Sequence, residues 1–152
     1  MEIIQILMGA ICSVGFALLF NVHGKKLWLF FLGGALDWAV YLLCMGNSGG
    51  VFLSMLFATM TAALSSEILA RIIHAPVLLL MVPMLIPLVP GGGLYHTMRA
   101  LICADKVNLA IHSQNTLLQA AAIALGIIVV SSFMHVLQVL RQFFMDKRKR
   151  GK

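Results

Sequence analysis

Apolar residues fall along the chain in five blocks separated by short polar connections. Ile3–Phe20 and Leu117–Leu140 carry no charge, Leu27–Met45 carries only Asp37, and Val51–Ala70 carries only Glu67, near its end. A bilayer core about 30 Å thick takes roughly 20 helical residues, so these four blocks each read as a membrane-crossing helix. The fifth block, Pro76–Pro90, is uncharged but shorter, and it holds all four prolines of the chain. Three consecutive glycines, Gly91–Gly93, follow it. Between there and the last block, Leu94, Met98, Leu101 and Ile102 share one helical face, which predicts a short helix on the membrane surface or over the bundle.

Composition agrees with this pattern. The chain is 61% hydrophobic and 11% charged, with a mean hydropathy of +1.00, whereas soluble domains average about 25% charged residues. The expected fold is therefore an all-α integral membrane protein of about five transmembrane helices, the fourth broken by proline. Residues 1–145 form a single transmembrane domain and 146–152 a basic tail. The first block does not read as a good signal peptide, since Glu2 is its only early side-chain charge and no small-residue cleavage site follows it.

Charge sets the orientation. Lys25 and Lys26 follow the first block, Arg71 follows the third, and Asp146–Lys152 holds five of the eleven basic residues. The connection after the second block carries no charge. Basic residues in short loops face the cytoplasm. Five crossings, with the N-terminus outside and the C-terminus in the cytoplasm, satisfy every one of these assignments. A re-entrant fourth block would deliver the basic tail to the outside, so the broken segment is expected to cross. The tail reads as a juxtamembrane anchor to the bilayer and not as a nucleic-acid site, since no aromatic residues interleave it.

The broken segment carries the main functional expectation. Proline has no N–H and its ring clashes with the carbonyl four residues back. Pro83, Pro87 and Pro90 lie four and three residues apart, so each frees a carbonyl on nearly the same side, and Gly91, Gly92 and Gly93 can then turn sharply and admit a ligand close to the backbone. Irregular backbone at membrane depth must be buried in protein or line a watered cavity. Discontinuous helices of this kind form the sites of many secondary transporters; the alternative is a kinked helix that packs against its neighbours and binds nothing.

Asp37 is the second candidate. A carboxylate at mid-membrane is costly, and Gly33 and Gly34 on its face let a neighbouring helix approach. It reads either as a proton or cation carrier or as an interhelical hydrogen-bonding group. Tyr95 and Arg99 follow the glycines. Arg99 either draws an anionic substrate to the outer mouth or is a solvated loop residue, and Tyr95, like Trp28, fits an interface anchor. Glu67 and Arg71 are spaced as an i, i+4 ion pair. Ala58, Ala62 and Ser66, with Thr59 and Ala63 beside them, form a close-packing ridge. Ser131, His135, Gln138 and Gln142 share a face that either lines a vestibule or bonds a partner helix. Cys12, Cys44 and Cys103 show no metal-ligand or redox spacing and read as packing residues. No catalytic motif, metal set or cofactor fingerprint is present, so the chain is not expected to be an enzyme.

The stretch "ALSSEILARIIHAPVLLLMVPMLIPLVPGGGLYHTM" resembles the small, C-terminal-type half of the threonine/serine exporter family. The similarity rests on Ala75-Pro76, Pro83, Pro87–Gly91 and Tyr95, with Phe20-Asn21 before the first basic loop. The resemblance implies a split exporter in the bacterial cytoplasmic membrane. In it a larger membrane subunit, or a second copy of this chain, would complete a pathway for threonine, serine or a dicarboxylate such as succinate, driven by the proton gradient. The alternative is a noncatalytic membrane scaffold that assembles a partner.

Overall fold

The computed structural model describes residues 2–47 and 49–150, with side chains throughout except at Lys25, Gln142 and 144–150. Among these the regular structure is entirely helical: α1 (Glu2–Leu19), α2 (Leu27–Gly46), α3 (Gly50–Ile73), α4 (Val77–Leu85), α5 (Gly91–Ile102) and α6 (Lys106–Arg150), with 3₁₀ turns at Gly24–Lys26 and Ile86–Leu88. Four helices, α1, α2, α3 and α6, are long and apolar enough to cross a membrane. The bent pair 77–88 and 91–102, which meets at 53°, is the fifth candidate span.

Chain turns are set by left-handed residues. Asn21, His74 and Ala104 have φ of 62°, 56° and 54°. Each is followed by an N–H that reaches back five residues, from Val22 to Ala17, Ala75 to Ala70 and Asp105 to Ala100. These are Schellman endings, which satisfy the last carbonyls of a helix while reversing the chain. Pro76, two residues past His74, then prevents α3 from continuing. At the start of α6, Asp105 accepts from the Asn108 N–H at 3.1 Å and from the Asn108 side-chain amide at 2.6 Å. That is an N-cap, and the same bonds, the backbone one first, hold the Asp105 carboxyl below its usual range.

Helices α1, α2 and α3 surround α4 and the 86–88 turn, while α6 packs on α3 and α5 packs on α6 alone. Much of the interior is small or polar: Ala10, Ser13, Ala17, Ala58, Thr59, Ala62 and Ser66 are fully buried, around the larger Phe30, Leu80, Met84 and Leu88. Large residues such as Ile3, Leu19, Leu43 and Ile72 are at least 70% exposed. This inversion of the soluble pattern is what a lipid environment allows, because helices there associate through close backbone approach and not by hiding leucine from water. The approach is closest where glycine meets a side chain. Gly34 abuts Ser13, Gly9 abuts Trp38, Gly33 abuts Met84, and Gly126 of α6 abuts Thr59.

Two sequence expectations change. The glycine triplet does not make the turn: Gly91–Gly93 are the first turn of α5, and the break lies before them, at extended Val89 (ψ 130°) and at Pro90 (ψ 58°). The last helix begins at Lys106 and not near Leu117, so α6 is 45 residues, about 67 Å long at 1.5 Å per residue. The basic tail continues α6 as backbone to Arg150, while its side chains, with Gly151 and Lys152, lie outside the described residues.

Glycine packing predicts a contrast within one hairpin. A Cβ at Gly34 would fall 2.7 Å from Ser13 Cβ and 3.0 Å from the Gly9 carbonyl oxygen, whereas one at Gly15 meets nothing within 4 Å. Gly34→Ala is expected to destabilise by about 1–3 kcal/mol. Gly15→Ala should be neutral or stabilise by up to ~1 kcal/mol. Thermal unfolding in detergent, followed by circular dichroism, measures both, and equal effects would contradict the packing described.

Candidate functional site

Asp37 lies near the midpoint of α2 and is 1% exposed. Its height in the bundle follows from the helix pairings. Gly9 meets Trp38 and Ser13 meets Gly34, which puts Ala10 of α1 opposite Asp37. Ser66 Oγ lies 3.4 Å from Met84 Sδ, and Met84 lies against Gly33. Helices α2 and α4 both run antiparallel to α3, so one turn beyond Gly33 on α2 corresponds to one turn beyond Met84, the 86–88 turn. Trp38 and Pro87 accordingly line one cleft of about 350 Å³, with Gln5, Met8 and Cys12 of α1. The carboxyl and the proline break thus occupy the same level, halfway through the four-helix core.

Polar groups at this level are poorly satisfied. Both Asp37 oxygens, Ser13 Oγ, Thr59 Oγ1 and Trp38 Nε1 are buried without a hydrogen-bond partner. An unmet buried polar atom costs about 1–3 kcal/mol, more when charged, and such groups in native proteins call for an explanation. Pro83 and Pro87 lack the N–H that a helix would direct to the Leu79 and Pro83 carbonyls. Pro90 likewise offers nothing to Ile86, whose carbonyl takes the Val89 N–H at 3.1 Å instead. Pro83, Met84, Leu85 and Leu88 are buried, Pro87 is half-buried, and Val89, Gly91 and Gly92 are exposed. The broken stretch is therefore enclosed on its α4 side and open at the start of α5.

The remaining sequence candidates separate into groups. Glu67 and Arg71 form the expected ion pair at 3.3 Å, which contributes about 0.3–0.5 kcal/mol as an i, i+4 pair. Tyr95 is exposed, with its ring 5.4 Å from that of His96. Arg99 lines a polar cleft of about 310 Å³ between α5 and α6, with His96, Cys103, Asp105, Asn108 and His112. The His96 and His112 rings stack at 5.2 Å. Ser131, His135 and Gln138 are exposed on α6, away from Ala122, Val130 and Met134, which are buried. They are not brought together with Asp37, and the Gln142 side chain lies outside those described.

Sequence reasoning missed Ser13, Trp38 and the His96–His112 pair as site residues. Ser13 carries no signal in the sequence alone; the structure sets it against Gly34, one turn before Asp37. Among the described residues no group of three or more His, Cys, Asp or Glu side chains could hold a metal ion, and Cys12, Cys44 and Cys103 are free thiols.

Removing a group kept for function at the expense of stability should stabilise the protein. Asp37→Leu, which deletes two unpartnered buried oxygens, is expected to raise stability by about 1–3 kcal/mol, read as a higher thermal midpoint in detergent. A lowered midpoint would mean that Asp37 is satisfied and structural.

Asp37 and the proline-broken helix thus lie at one level of the bundle, and both are features of the kind that marks solute or ion pathways in membrane proteins. No curated protein and no solved structure matches the chain. A profile of the threonine/serine exporter (ThrE) family matches residues 5–133, which takes in most of α1, all of α2 to α5 with the 86–88 turn, and most of α6. The chain belongs to the threonine/serine exporter family.

Proposed function

We propose that the chain is one membrane subunit of a proton-coupled secondary exporter of small carboxylate-bearing metabolites, threonine or serine before a dicarboxylate such as succinate. It acts as a carrier and not as an enzyme. The observation that carries this reading is the pairing of unpartnered Asp37 with the proline break at one level of the core. A carboxylate there can hold the ammonium of an amino acid, and a proton arriving from the other side can displace it. That competition couples outward movement of the solute to inward movement of a proton. Freed backbone carbonyls near the break add acceptors for the same ammonium.

A larger partner subunit completes the pathway in this proposal. Its support is the exposed start of α5. Gly92 and Gly93 are first-turn residues whose N–H groups have no preceding helical carbonyl, and Gly91 and Gly92 have open space around them. Lipid cannot satisfy such groups. A second protein surface, or a second copy of this chain, can cover them and leave a polar channel between. The positive-inside rule places Lys25, Lys26 and Arg71 in the bacterial cytoplasm. The Arg99–His96–His112 cleft then lies toward the outer face, where a departing anion would meet it.

Counterflow of labelled threonine, serine and succinate, in proteoliposomes holding the chain and its co-purified partner, tests the reading. Asp37→Asn is expected to slow proton-driven flux about 10- to 150-fold, the cost of a lost hydrogen bond to a charged group, with the complex still assembled. Pro87→Ala, which restores a donor for the Pro83 carbonyl, should also lower flux. Unchanged flux in both variants, together with loss of the partner when the chain is deleted, would instead favour an assembly scaffold.

A further inference from the structure

A separate pocket of about 380 Å³ opens where the α1–α2 and α3–α4 connections meet. Its volume lies within the ~300–1,000 Å³ of ordinary ligand sites. Lys26, His23 and Asn21 stand at its rim, and Phe30 and Leu80, both essentially buried, form its floor. Ala75 and Leu79 make its other wall. No carboxylate lines it, and among the described residues the only salt bridge is Glu67–Arg71, so the Lys26 ammonium has no ion-pair partner. Leu79 is the residue whose carbonyl loses its i+4 donor at Pro83.

Asn21 adds a second indication. It sits in the left-handed region, at φ 62°, a position where glycine is strain-free. An asparagine there keeps the turn and also places an amide at the rim. His23 Nδ1 donates to the Asn21 carbonyl at 3.0 Å, which fixes the loop from the other side.

We infer that this pocket is the loading site of the carrier, taking an α-amino carboxylate from the cytoplasm with its carboxylate on Lys26 and its ammonium on the Asn21 amide oxygen and the Leu79 carbonyl. The inference rests on the proposed export function. Phe30 is seven residues from Asp37, about 10 Å along α2, and between them Met84 lies over Gly33, within 2.6 Å of where a Cβ would stand. Phe30, Leu80 and Met84 therefore seal the loading pocket from the mid-membrane carboxyl in this conformation, and entry to Asp37 requires Met84 to move.

The test uses a reporter thiol. Ala75→Cys is introduced after Cys12, Cys44 and Cys103 are replaced by alanine, and labelling with a membrane-impermeant maleimide is followed in inside-out and right-side-out vesicles of the native membrane. Labelling is expected only in inside-out vesicles, with protection by L-threonine or L-serine and none by L-threonine amide, which lacks the carboxylate. Lys26→Gln should weaken the protection about tenfold or more, the loss of one charged hydrogen bond. Asn21→Gly, which retains the turn, should weaken it without changing the unprotected labelling rate. Labelling only from the outside, no protection by either amino acid, or protection by succinate as strong as by threonine would each overturn the assignment. Flux is read in the same vesicles: protection without proton-driven flux would sink the export reading and leave the pocket standing.

Discussion

Inside a hydrocarbon layer every backbone N–H and C=O must find its partner within the protein. That single requirement organises this structure. Three prolines interrupt the hydrogen-bond ladder of α4 and its continuation, and the interruption is tolerable only if other protein surrounds it. Helices α1, α2 and α3 supply that enclosure on one side. They do so with glycine, alanine and serine, because only small side chains let four helices approach closely enough to cover an irregular backbone. The small inward face and the large outward residues are two consequences of one constraint.

Asp37 is positioned by the same packing. Gly33 and Gly34 precede it by one turn, so the part of α2 that carries the carboxyl is also the part that admits α1 and α4 most closely. A larger residue at either glycine would push Ser13 or Met84 away and open the level at which Asp37 sits. The carboxyl and the break are thus linked through backbone geometry, without a direct bond between them. Neither Asp37 oxygen is committed to a group of its own chain, which is what the proposed exchange of partners requires.

Much of this was legible in the sequence. The five apolar blocks, their short connections and the broken fourth one follow from hydropathy and proline chemistry, and the Glu67–Arg71 pair follows from helical spacing. Three features were not. Gly91–Gly93 look like a turn because glycine permits one, but permission is not a requirement, and Pro90 with extended Val89 already bends the chain. Residues 106–116 escaped notice as helix because Asn108, His112, Gln114 and Asn115 lower the hydropathy, although Asp105 followed by Asn108 gave a capping signal. Ser131, His135 and Gln138 share a face by periodicity, yet periodicity cannot say which face meets the bundle. The alanine and glycine at 122 and 126 mark it, and they lie on the other side.

The two ends of the proline break face different surroundings, and that asymmetry bears on how such a carrier works. Pro83–Leu88 is held between three helices of this chain, while Val89–Gly92 opens away from them and α5 touches only α6. Helix α4 is thereby tied to the core, and α5 to the long arm of α6. Val89 and Pro90, outside α4, the 86–88 turn and α5, join the two, while α6 is itself held to α3 where Gly126 meets Thr59. In the proposed assembly the partner covers the exposed glycine amides at this junction. The break is then enclosed on one side by this chain and on the other by the proposed partner.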